Sequence, residues 1–121
     1  MKKLTYTILV CYSFSNEWLG KTRDQRKAFE RANVLPVLGK YQDSVRIRSY
    51  DAEAFETRFT DFMVMETEDL RMYYFLIEEL RDSPLFTEGF ATIKQIFIGL
   101  EDGYKIFEED QEEESADAVA A

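Results

Sequence analysis

Histidine is absent from the 121 residues, cysteine and tryptophan occur once each, and proline occurs only twice. Without histidine, and with Cys11 as the lone thiol, the usual zinc, haem and iron–sulfur ligand sets cannot be assembled within one chain. Ser–His and Cys–His nucleophile pairs fall for the same reason. One cysteine forms no intrachain disulfide, as expected of a reducing compartment. No run of about 18 apolar residues is available to span a bilayer. The Met1-Lys2-Lys3 start followed by Leu4 to Tyr12 is too short, and too broken by Thr5 and Thr7, for a signal peptide. A cytoplasmic chain with no membrane partner is therefore expected.

Bases are also scarce, 15 Lys+Arg against 24 Asp+Glu. The imbalance is local. Residues 108–117 (EEDQEEESAD) hold seven acids and no base, and without them 15 bases face 17 acids. A block of like charge without an aromatic residue repels itself and buries little. The expected organisation is a folded domain over 1–108 and a disordered acidic tail over 109–121. The near-neutral body lacks the basic footprint of a nucleic-acid binder.

What remains is an ordinary globular sequence, 45% apolar and long enough for one domain. Leu4 to Tyr12 is rich in β-branched and aromatic residues and reads as a strand. Thr22-Arg23-Asp24-Gln25 fits a capping box, followed by a helix to about Asn33 that would bury Ala28, Phe29 and Ala32. Val34 to Gly39 reads as its irregular end, because Pro36 disfavours helix before it. Ser44 to Tyr50 alternates strictly and forms a half-buried strand. Phe59 to Glu66 is a further strand. Thr67 then caps a helix whose buried stripe is Leu70, Tyr73, Tyr74, Ile77 and Leu80, ended by Pro84. Ile93 to Ile98 is the last strand, with a turn over Gly99–Gly103 and a short extended piece from Tyr104 to Phe107. The order βαββαβ predicts an α+β, ferredoxin-like fold: a four-stranded antiparallel sheet with both helices on one face.

Two helices cover only one face of such a sheet. Taking Tyr6, Ile8, Val10, Tyr12, Val45, Ile47, Phe62 and Val64 toward the helices leaves a mixed second face. It would hold Leu9, Cys11, Arg46, Arg48, Asp61, Met63 and Met65. A twofold pairing of two copies would bury its Met and Leu and pair Arg with Asp, so a homodimer is expected. A one-residue slip would exchange the faces.

Several stretches resemble the darcynin family of small bacterial proteins. They are Ser49-Tyr50-Asp51-Ala52-Glu53-Ala54-Phe55, Glu66-Thr67-Glu68-Asp69-Leu70, Tyr74 to Pro84 (YFLIEELRDSP) and Gly99-Leu100-Glu101-Asp102-Gly103-Tyr104. The resemblance covers nearly everything before the acidic tail and implies a domain similar to the dimeric α/β-barrel superfamily. That family has no established activity, so it transfers no catalytic residue. The wider group holds haem chlorite dismutases, cofactor-free monooxygenases and lactone isomerases. The absent histidine removes the usual haem ligand, and no cofactor is expected.

The candidate chemistry is cofactor-independent, on a small aromatic or anionic molecule. Arg46 and Arg48 would hold an anion or enolate with their fork of donors. Asp61 or Glu66 would act as general base if burial raised its pKa. Tyr12, Trp18 and Tyr50 would stack on a planar ring. Against this stand plain ion pairs for the arginines and a packing role for Trp18. Asp51 and Glu53 follow a strand end in a loop, where they serve a site or cap a turn equally well. Glu66, Glu68 and Asp69 lack an EF-hand loop or any comparable oxygen cage, so no metal is expected. Two classes stay open: a small-molecule enzyme or binding protein, and a non-catalytic dimeric interaction module.

Overall fold

The computed structural model describes residues 3–120, with side chains to residue 118. Met1 and Lys2 of the signal-like stretch, and residue 121 of the expected tail, lie outside the described residues.

The strands are β1 (Tyr6–Phe14), β2 (Val45–Asp51), β3 (Asp61–Thr67) and β4 (Ala91–Leu100), in one sheet of order β2-β3-β1-β4. All three pairings are antiparallel. The helices are α1 (Asn16–Leu19), α2 (Arg23–Asn33), α3 (Leu35–Lys40), α4 (Leu70–Asp82), α5 (Pro84–Thr87) and α6 (Gly103–Ala120). The α+β, ferredoxin-like arrangement expected from the element order is the one found.

The core lies between the sheet and the helices. Ile8, Val10 and Val45 meet Leu76, Ile77 and Leu80 there, all buried. The expected helix-facing residues of β1 and β2 are in place. Those of β3 are not. Ile8 faces Met65, Val10 faces Met63 and Tyr12 faces Asp61 across the ladder, and cross-strand partners share a face. Asp61, Met63, Met65 and Thr67 therefore point to the helices and are buried, while Phe62, Val64 and Glu66 take the second face. The expected assignment was one residue out of register. Both sets are apolar, so alternation alone could not choose between them.

Local chemistry explains the elements. Thr22 and Gln25 close the capping box as expected, the Gln25 amide donating to Thr22 Oγ1 at 3.1 Å and the Thr22 amide to Gln25 Oε1 at 2.9 Å. Helix α2 turns Arg26, Phe29, Glu30 and Asn33 toward the protein, whereas Ala28 and Ala32 are exposed rather than buried. Pro36 does not break the chain into an irregular end. It sits in the first turn of α3, where its missing N–H has no partner to lose. Helix α4 starts later than expected, because the Asp69 carboxylate, not Thr67, caps it by accepting from the Arg71 amide at 2.9 Å. Thr67 instead accepts the Asp69 amide at 3.0 Å and donates to the Ser44 carbonyl at 2.8 Å, tying β3 to the start of β2. The inward stripe of α4 is Tyr73, Leu76, Ile77 and Leu80, with Leu70 and Tyr74 exposed.

The C-terminal segment differs most. Residues 103–120 form helix α6, where an extended piece and a disordered tail were expected. Glu and Ala are strong helix formers, and that propensity prevails over repulsion among the acids.

Candidate functional site

Beyond Cys11 in β1, the pairing with β4 shifts register, Cys11 facing Gln95 and Tyr12 facing Ile93, so that Lys94 is the extra residue of a bulge. Bulges bend a strand and re-aim its side chains. The Thr60 amide donates to the Tyr12 carbonyl at 3.1 Å, and the Thr60 hydroxyl accepts the Phe14 amide at 3.0 Å. The loop before β3 is thereby fastened beside β1.

This fastening aligns three ionisable residues in one row: Asp51 opposite Asp61, and Asp61 opposite Tyr12. All three lie on the helix-facing side. Like charges directly opposite one another are unfavourable unless a proton is shared. Asp61 is 8% exposed. Burial first, then a hydrogen bond with Asp51 and the charges of Asp51 and Glu53, raise its carboxyl to about 6. A bond from Thr60 opposes the rise. Burial and the charges of Asp61, Asp51 and Glu30 push the Tyr12 hydroxyl upward, so it stays protonated near neutral pH. A carboxyl poised to exchange a proton thus sits beside a phenol held as a donor.

Two clefts open here. One, of about 370 Å³, is walled by Phe14, Trp18 and Leu19, with Arg23, Arg26 and Lys27 of α2 along it. The other, of about 270 Å³, is enclosed by apolar residues such as Val34, Leu38, Met63 and Leu85, with Tyr12 among them. Both are lined by Phe14, Glu30, Asp51 and Asp61, so they meet at the carboxyl pair. An aromatic cluster stiffens the wall. Trp18 stacks on Phe14 with centroids 5.3 Å apart and meets Phe29 edge-on at 5.3 Å. An oxygen of Asp51, Glu53 and Asp61 each lies within 4.8 Å of the others, a grouping that a hard cation tolerates.

Of the sequence-derived candidates, Tyr12, Trp18 and Asp61 come together. Arg46, Arg48, Tyr50 and Glu66 do not join them, because they lie on the opposite face of the sheet. The expected pairing of the arginines with Asp61 is replaced by one with Glu66. Arg48 Nη2 is 2.7 Å from Glu66 Oε1, and Arg46 Nη1 is 3.8 Å from Oε2. Those arginine side chains are 53% and 78% exposed, respectively, so the pairs contribute little. Tyr50 stacks on Phe62 at 4.9 Å. A depression of about 670 Å³ lies at the other end of β2 and β3, lined by Arg46 among Asp43, Glu66, Glu68, Asp69 and Glu101. It has no aromatic wall, and its acids oppose capture of an anion by Arg46.

Sequence reasoning missed Glu30 and the three bases of α2, and left Asp51 and Glu53 undecided. The i, i+3, i+4 spacing of Arg23, Arg26 and Lys27 was a legible signal, since it puts all three on one helix face.

A family model described as "Darcynin, domain of unknown function" matches residues 2–113. Darcynin 1 of Acinetobacter baumannii is 40% identical over 86 residues, covering 71% of this chain and 94% of that protein. The darcynin of Chromobacterium violaceum is 41% identical over 75 residues, covering 62% and 94%. Among solved structures, a haem-binding protein of Thermus thermophilus superposes with TM-score 0.71 at 16% identity, over 82% of this chain and 40% of that one. The chlorite dismutase of Candidatus Nitrospira defluvii, in complex with imidazole, gives 0.69 at 10% identity, over 79% and 39%. The chain thus spans well under half the length of these structures, and the likeness is one of fold.

Proposed function

The chain belongs to the darcynin family, and from its cleft we propose a small-molecule enzyme or binding protein acting on a small aromatic or anionic molecule without a cofactor. The observation that carries this is the buried Asp61 carboxyl, paired with Asp51 and placed between aromatic walls. A general base serves best with a pKa near the working pH, and Asp61 at about 6 meets that condition. The Tyr12 hydroxyl would donate to oxygen charge developing on the substrate. Arg23, Arg26 and Lys27 would draw an anionic group to the cleft.

Haem, bound by the Thermus protein, does not fit these residues. No histidine exists to ligate iron. The Tyr12 hydroxyl is held protonated, and Cys11 lies on the other face of the sheet. The cleft floor is a carboxyl pair, which disfavours an apolar macrocycle.

The experiment is a thermal-shift screen of phenols, benzoates and short organic acids, followed by titration of Trp18 fluorescence. A ligand of the native state raises the melting temperature. Trp18 is the sole tryptophan and lines the cleft, so its emission reports binding there. The proposal expects a hit that changes Trp18 emission in the wild type and is lost in Asp61→Asn. Hits that leave Trp18 emission and Asp61→Asn binding unaltered would refute it.

We further propose a homodimer over the second sheet face. Leu9, Phe62 and Val64 are half-buried there, and Phe97 is 48% exposed. The solved structures exceed twice the matched length, leaving room for a second domain of this size. Sedimentation is expected to give a dimer that Val64→Asp converts to a monomer. A wild-type monomer at high concentration would contradict it. One observation favours the alternative, a protein-interaction module: acidic helix α6 leaves Tyr104 74% and Phe107 55% exposed.

A further inference from the structure

The cleft is lined by charges of both signs that do not pair with each other. Arg23, Arg26 and Lys27 lie along it from α2, and Asp51, Glu53 and Asp61 from the ends of β2 and β3. Among the described residues no ion pair within 4.0 Å joins any of these bases to any of these acids. Other opposite charges in the molecule do close up, as Arg58 on Glu56 at 2.8 Å and Lys40 on Glu79 show. Opposite charges held apart across a cavity leave a gap that a molecule bearing both signs fills with two favourable contacts. Beyond the carboxyl pair the smaller cleft is apolar, with Val34, Leu38, Met63 and Leu85.

We propose that the cleft takes a zwitterion with a bulky apolar group: ammonium at Asp51 and Asp61, carboxylate at Arg23, Arg26 and Lys27, apolar body in the inner chamber. Free α-amino acids with large apolar side chains have this chemistry. The inference rests on the cleft being the ligand site, and it narrows the ligand class. A simple anion would leave the acids opposed to it. A simple amine would leave the bases without a counter-charge. Glu30, which lines both clefts one turn beyond Arg26 on α2, adds a further acceptor on the ammonium side.

The test is calorimetric titration of the full chain with L-phenylalanine, L-tryptophan and L-leucine, each beside its deaminated acid and its decarboxylated amine. At least one amino acid is expected to bind tenfold or more tightly than both of its counterparts. Arg26→Gln is expected to reduce that affinity to the level of the amine. Asp51→Asn is expected to reduce it to the level of the acid. Unliganded melting curves of both variants verify folding. Equal binding of an acid and its amino acid would overturn the zwitterion and leave the cleft standing as an anion site. No binding of any compound, with hits from the wider screen that do change Trp18 emission, would also overturn the zwitterion alone. No binding in either set would overturn both.

Discussion

Asp61→Asn is expected to stabilise the protein above pH 6 and to leave it unchanged near pH 4. The sign follows from the raised carboxyl. In the unfolded chain Asp61 ionises near 3.8, in the folded protein near 6. Below pH 4 both states hold the proton and nothing is lost. Between pH 4 and 6 the folded state binds more protons, so stability falls as pH rises; above 6 the loss is complete. A shift of about two units corresponds to about 3 kcal/mol, an upper bound because Asp61 is coupled to Asp51 by a hydrogen bond. Asparagine keeps the shape without the charge. Its melting temperature is expected to exceed wild type by roughly 5–10 °C at pH 7.5 and to match it at pH 4. Ligand binding at the cleft should be lost in the same variant. Stability gained where binding disappears is the signature of a strained functional group. A variant less stable than wild type at pH 7.5 would mean that Asp61 is a structural partner instead.

Trp18→Ala carries the largest expected loss. The indole is fully buried, stacked on Phe14 and edge-on to Phe29, with Phe90 5.8 Å away. Truncating such a ring costs about 3–5 kcal/mol through lost transfer energy and the cavity left behind. Urea unfolding is the measurement. The cleft wall collapses with it, so ligand affinity is expected to fall even where the variant folds. Trp18→Phe retains a ring against Phe14 and should lose less than half as much stability. A loss under about 1 kcal/mol for alanine would show that the aromatic cluster does not hold the wall.

The fold was legible because its elements carry distinct periods. Val45 to Tyr50 alternates as a strand, and Tyr73, Ile77 and Leu80 recur as a helix stripe. The register of β3 was not, because Phe62 and Val64 are as apolar as Met63 and Met65. The charges held the clue: Arg46 sits opposite Glu66 in the ladder, and an opposite-charge cross-strand pair would have placed the even-numbered residues of β3 on the outer face. That single slip split the expected site, keeping Asp61 with Tyr12 and Trp18 and sending Glu66 with the arginines to the other side. The carboxyl pair was hidden for the same reason, since Asp51 meets Asp61 only in the correct register. Helix α6 was not legible because repulsion among its acids opposes the helix propensity of its Glu and Ala residues, and the sequence alone does not say which prevails.

The central claim is that Asp61, buried and hydrogen-bonded to Asp51, holds its proton to about pH 6 on the floor of the cleft. The direct measurement is a carboxyl carbon NMR titration of the wild type, with Asp51→Asn and Asp61→Asn for assignment. The account predicts one aspartate titrating near pH 6, moving toward the ordinary range in Asp51→Asn and vanishing in Asp61→Asn. If every aspartate titrates below about pH 4.5, the pair does not exist and the site built on it falls.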